Sequence, residues 1–222
     1  HLFAPHAPWD PLPGWEGDPY RGDVARADAA LGLLLRDVPK EALVILASDH
    51  GEGLWEGGER EHGVLLGPGI TRVPLIVRPP GGLHGEADIP PKPGRDLAER
   101  PAGTDPGLDL RPVPDAPSAA LAIGDVVSGI DVASTIADYA GVSLPADGLS
   151  LRSLVEGGSR EERPAYAETL YPFYHFGWQP LRMAQDSMRR LEKGAYVRSY
   201  LWETGDDVPP PQELEAFSDS AF

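Results

Sequence analysis

Leu43-Val44-Ile45-Leu46-Ala47-Ser48-Asp49-His50-Gly51-Glu52 decides how the rest of the chain is read. Five apolar residues without a polar break predict a strand buried on both faces of a parallel sheet, and Ser48 ends it. In an open α/β sheet, ligands bind beyond the carboxyl ends of the strands, which is where Asp49 and His50 fall. A carboxylate beside an imidazole can face one divalent cation, and Gly51 and Gly53 let the backbone approach it closely.

On the N-terminal side, Val24, Ala27, Leu31, Leu34, Leu35 and Val38 recur at three- and four-residue steps, which predicts a helix from Asp23 to Val38 stopped by Pro39. Before it, His1-Leu2-Phe3-Ala4 reads as a short strand, followed by a proline-rich loop up to Pro19. That loop holds His6 between Pro5 and Pro8. On the C-terminal side, Val73-Pro74-Leu75-Ile76-Val77 reads as another strand, with its proline at a start or an edge. Strand, helix and strand in this order predict a βαβ arrangement, hence an α/β fold. His62 lies twelve residues after His50, in a stretch long enough to bring it back to the sheet edge.

At 222 residues, with 41% apolar residues and five tryptophans, the chain can bury one good-sized core. The formal charge of −16 repels polyanions and argues against a nucleic-acid partner. An acidic protein that handles an anionic ester needs local positive charge, which a bound cation supplies. The absence of cysteine excludes disulfides, thiolate metal sites and cysteine nucleophiles within the chain. No run of 18 apolar residues is present, so no transmembrane helix is expected.

Residues 79–122 hold ten prolines and six glycines and read as a surface insertion loop. A helix is expected from Asp131 to Ala140 with Gly141 as its left-handed stop. Leu144-Pro145 and Asp147-Gly148 follow as a turn. Tyr171, Phe173, Tyr174, Phe176 and Trp178 read first as packing residues and second as the lining of a substrate cleft. His175 and His84 read as ordinary polar positions. Glu52 reads as a solvated carboxylate, with support of a ligand histidine as the alternative.

The blocks His1 to Pro8, Gly22 to Leu35 and Ser48-Asp49-His50-Gly51-Glu52 resemble, in order, segments of the bacterial sulfatase family in the alkaline-phosphatase superfamily. Arg72 to Gly81, Asp131 to Ile136, Asp147 to Leu151 and Gly177 to Arg182 resemble its later segments. The resemblance implies a three-layer αβα sandwich, present as its C-terminal portion, with a small C-terminal subdomain. It divides the chain into a core part at 1–78, the insertion at 79–122, further core and the start of the subdomain at 123–182, and a divergent tail at 183–222.

By the same resemblance, Asp49 and His50 are ligands of a divalent metal, calcium in many members and manganese, iron or zinc where histidine replaces asparagine. His6 would contact the esterified anion or its nucleophile, and His62 would stabilise or protonate the leaving-group oxygen. Ala4, Gly57 and Ser134 stand where many members have aspartate, histidine and proline. The formylglycine nucleophile and the first two metal-binding aspartates belong to an N-terminal half not contained here, so the chain is expected to be inactive alone. The implied reaction is hydrolysis of a small-molecule or glycan sulfate ester. The Asp-His pair also resembles members that cleave phosphodiesters or phosphonate monoesters, and a non-catalytic module of the same fold is the third reading. Members are often exported, which points toward the periplasm or cell surface.

Overall fold

The computed structural model describes residues 1–10, 13–82, 122–201, 206–209 and 212–220. Most of the expected insertion, His84 included, lies outside the described residues. The chain forms two compact units, the first including residues 1–42 and the second including residues 43–82 and 122–220.

In the first unit, residues 1–4 form no strand. Phe3 instead starts a turn, with the His6 N–H donating to its carbonyl at 3.0 Å. Helix α1 runs Pro19–Leu35, earlier than the apolar spacing predicts. Its start is fixed by Asp18, whose carboxylate accepts from the Arg21 N–H, and by Pro19 in the first turn, where a missing N–H costs nothing. The buried Asp23 carboxylate accepts from the Asp10 N–H at 3.2 Å and so ties the proline-rich loop to the helix.

The second unit opens with β1 (Val44–Ala47), followed by a 3-10 turn at Glu56–Gly58, α2 (Pro68–Thr71) and β2 (Leu75–Arg78). The two strands pair antiparallel, Val44 opposite Arg78 and Ala47 opposite Leu75, where a parallel sheet was expected. Parallel pairing needs a crossover that returns the chain to the same end, and residues 48–74 carry only these two short helical turns. The strands are half-buried on the whole, with Ile76 59% exposed. The inward side chains of β2, Leu75 and Val77, pack with Val127 on Leu151, Leu154 and Val155.

Helix α3 (Asp131–Ala140) ends at Gly141 in the left-handed region, φ 68°, as expected. Asp131 is fully buried at its start. Its carboxylate accepts from the N–H groups of Ser128 and Leu149 and from the guanidinium groups of Arg160 and Arg163. Thr135 donates to the Asp131 carbonyl and accepts from the Leu151 N–H, and Ser134 donates to the Gly148 carbonyl. Buried charge is tolerable only when it is paired and hydrogen-bonded in this way. These bonds hold the Asp147 to Leu151 turn and the short α4 (Arg152–Val155) against α3.

Four strands then form an antiparallel meander: β3 (Ala165–Thr169), β4 (Leu181–Gln185), β5 (Arg189–Lys193) and β6 (Val197–Leu201). Between β3 and β4 sits α5 (Tyr171–Phe176), and α6 (Gln212–Ser220) follows β6. The segment expected to be a divergent tail therefore contributes most of a sheet. Ala184, Leu191 and Leu214 form its core. Arg190, 1% exposed, spends its guanidinium on Thr71, Gln185 and Glu192.

Candidate metal and hydrolytic site

Chain direction after β1 is set by an excursion that folds back on itself. The N–H groups of Gly53, Leu54 and Trp55 donate to the carbonyls of Glu61, Arg60 and Glu59, so residues 53–61 close like a hairpin. Leu54 and Trp55 adopt positive φ at its turn, with Gly57 and Gly58 beside them. A side chain on Gly51 would overlap the Gly69 carbonyl, and one on Gly53 would overlap that of Glu59. Buried Glu59 secures the exit by accepting from the N–H groups of Val64 and Leu65, both at 2.8 Å.

The result brings His62 onto His50. Their rings stack with centroids 3.8 Å apart and planes 26° apart, and one donor nitrogen of each lies within 4.8 Å of the other. The Nδ1 of His50 sits 2.8 Å from the Gly51 carbonyl, and the Nδ1 of His62 sits 3.2 Å from a Glu52 oxygen. Carbonyl and carboxylate oxygens only accept, so both imidazoles donate from Nδ1. Glu52 is 8% exposed and does not behave as a solvated carboxylate. Its partner is the His62 ring.

Asp49 is exposed at the strand end. One of its oxygens accepts from the His50 N–H and lies 3.9 Å from His50 Nε2. Two donors about 2.1 Å from one ion lie about 3.0 Å apart at an octahedral right angle and about 3.4 Å apart at a tetrahedral angle, so this pair would have to close by about half an ångström to share a divalent cation. His6 belongs to the first unit, where its ring stacks on Phe3 at 4.7 Å and its Nδ1 donates to the Ala7 carbonyl at 2.5 Å.

Two supports escaped the sequence reading. Only the folded chain shows the Glu59 and Asp131 carboxylates buried and fully bonded. The aromatic residues 171–178 also correct an expectation, because Tyr171, Phe173, Tyr174, Phe176 and Trp178 are all exposed.

No protein-family model and no curated protein matches the sequence. Solved structures do. A phosphonate monoester hydrolase from Agrobacterium radiobacter is similar at 22% identity and a TM-score of 0.56, over 90% of this chain and 38% of its own. A 2-O GAG sulfatase is similar at 16% identity and a TM-score of 0.56, over 89% of this chain and 38% of its own. A protein solved in complex with its substrate D-glucosamine-2-N,6-O-disulfate gives 18% identity and a TM-score of 0.58, over 90% and 39%. This chain thus spans well under half the length of these neighbours. Among the described residues two antiparallel sheets with flanking helices are present, and the chain shares its fold, over nine-tenths of its length, with part of these sulfatase and phosphonate monoester hydrolase structures.

Proposed function

We propose that this chain carries the metal-binding and leaving-group portion of a site that hydrolyses sulfate esters of small molecules or glycans. The observation that carries the reading is the strand-end pair Asp49 and His50, with His62 stacked on His50 and supported by buried Glu52. Asp49 and His50 would hold a divalent cation, whose bound charge would offset that of the esterified anion. One carboxylate with imidazole nitrogen suits manganese, iron or zinc better than calcium, which prefers six or more oxygens. His62, its Nδ1–H committed to Glu52, has Nε2 to hold or deliver a proton at the leaving-group oxygen. The nucleophile, a formylglycine in the family resembled, would come from the N-terminal half that the resemblance implies.

Calorimetric titration of the chain with manganese, zinc and calcium chlorides tests the reading. One equivalent of manganese or zinc should bind, and D49A/H50A should abolish binding while the circular dichroism stays unchanged. Uptake that survives in the double variant would sink the site, and a folded chain that takes up no metal would be a non-catalytic module of this fold. The chain alone should turn over no sulfate ester.

A second reading, phosphonate monoester or phosphodiester hydrolysis, is favoured by His50 itself and by the phosphonate monoester hydrolases among the neighbours. Competition between sulfate and methylphosphonate for the metal-loaded chain separates the two, since a sulfatase site should retain sulfate more tightly.

A further inference from the structure

The loop that follows β1 lies on a single turn of helix. The Ile70 carbonyl accepts from the Gly51 N–H at 2.7 Å, and the Ser48 hydroxyl donates to the His50 carbonyl at 2.7 Å. A Cβ on Gly51 would overlap the Gly69 carbonyl, and one on Gly69 would come within 3.2 Å of the Glu52 carbonyl. The backbone of residues 50–52 is thus in direct contact with that of α2, and the position of α2 decides the position of His50.

Helix α2 has four residues, too few to hold a position by itself. Its last residue is gripped from far along the chain. The Thr71 hydroxyl donates to the Gly67 carbonyl at 3.3 Å and accepts from the Arg190 guanidinium at 3.1 Å. Arg190 stands in β5, 119 residues later, and is 1% exposed. Glu192 and Gln185 accept from the same guanidinium at 2.8 and 3.0 Å and hold it in that orientation. A buried ion pair is weak evidence of stabilisation, since apolar side chains of like volume often serve a core as well. What arginine adds is a directed bond from the sheet to α2.

We propose that Arg190 and Thr71 are positioning residues for the metal pair. Through α2 they hold the backbone of His50 and Gly51, so that closing the pair on an ion is left to the exposed Asp49 side chain. The assignment rests on the metal reading of Asp49 and His50. A ligand whose backbone is held in advance loses less freedom when the ion binds. Groups that support ligands from behind are worth about 10- to 100-fold in metal affinity. The C-terminal meander is on this account a working part of the site.

The test uses the full chain and two readouts, manganese and zinc affinity by calorimetry and the hydrogen-exchange rate of the Gly51 amide, which needs no metal. T71V keeps the side-chain shape and removes the hydroxyl, whereas T71S keeps the hydroxyl. T71V should weaken metal binding by about tenfold and speed Gly51 exchange, and T71S should restore both. R190K retains a charge beside Glu192 without the fork. T71V/R190K should bind metal no more weakly than the weaker single variant, because both substitutions cut one link. L214A loosens the same sheet on its opposite face, and where circular dichroism shows it folded it should keep the parent's metal affinity. Parent metal affinity in T71V, or a loss in L214A as large as that in T71V, would overturn the proposal, the second by showing that loosening the sheet anywhere suffices. A parent chain that takes up no metal would sink the metal reading and leave Gly51 exchange to judge the grip on α2: faster exchange in T71V would keep it, and an unchanged rate would remove it.

Discussion

Glu52 is a buried carboxylate with a single defined duty, to accept the Nδ1–H of His62. Replacing it with alanine leaves that donor without its partner, at a cost of about 1 to 3 kcal/mol. E52A should therefore melt at lower temperature than the parent chain, and in nitrogen-15 spectra His62 should change from the Nδ1–H tautomer to a mixture. An unchanged His62 spectrum would show that another group sets its orientation. Glutamine, whose amide oxygen still accepts, should restore most of the tautomer. At this scale the sequence is informative about Asp49 and His50, because an apolar run that stops at a polar pair marks a strand end. For Glu52 it leaves a solvated carboxylate and a partner of a histidine both open, and only the folded chain, which buries it and sets it 3.2 Å from His62, decides between them. The same holds for the aromatic residues 171–178, since exposed and buried rings are spelled alike.

The C-terminal meander shows why an element can be real and hard to read. Strands β4 to β6 are rich in charge, and the apolar alternation that announces a strand is interrupted by Arg190, which is buried, and by Glu192. The partners of these charges come largely from elsewhere in the chain, Glu192 accepting from Tyr200 as well as Arg190, and Arg198 donating to Asp207, which no single strand displays. Strand direction is likewise absent from a local apolar run, so β1 and β2 look equally suited to parallel and antiparallel pairing. Leu214 of α6, 2% exposed, closes the sheet core on Ala184 and Leu191. L214A should cost about 2 to 5 kcal/mol, seen as a lower urea midpoint. The loss should appear in the packing signals of Tyr200 as well, because a bridge pairs Asp207, which precedes α6, with Tyr200 of β6. A midpoint equal to that of the parent would mean that 212–220 does not contribute to the folded unit.

At the scale of the whole molecule, two tyrosines make stability depend on pH on the alkaline side. Burial, above all, pushes the Tyr200 hydroxyl up to about 12, and the nearby Glu192, which accepts its hydrogen bond at 2.8 Å, acts in the same direction. Tyr166 is raised to about 12 too, again chiefly by burial, with Glu168 beside it. A tyrosine whose folded value exceeds its unfolded value of 10.0 favours the folded state while it is protonated. That contribution is complete below pH 10 and disappears as the pH rises through about 12. Each ionisation also adds to a net charge already at −16, so self-repulsion works in the same direction. Urea midpoints measured against pH should be insensitive to these two groups at neutrality and fall steeply across pH 10 to 12. Added salt should restore the self-repulsion part of the loss, because it screens exposed charge, and leave the burial part. Y200F removes one of the two titrations, so its profile should fall less over that interval while Glu192 keeps its bond to Arg190. A Y200F profile parallel to that of the parent would place the alkaline loss elsewhere in the chain.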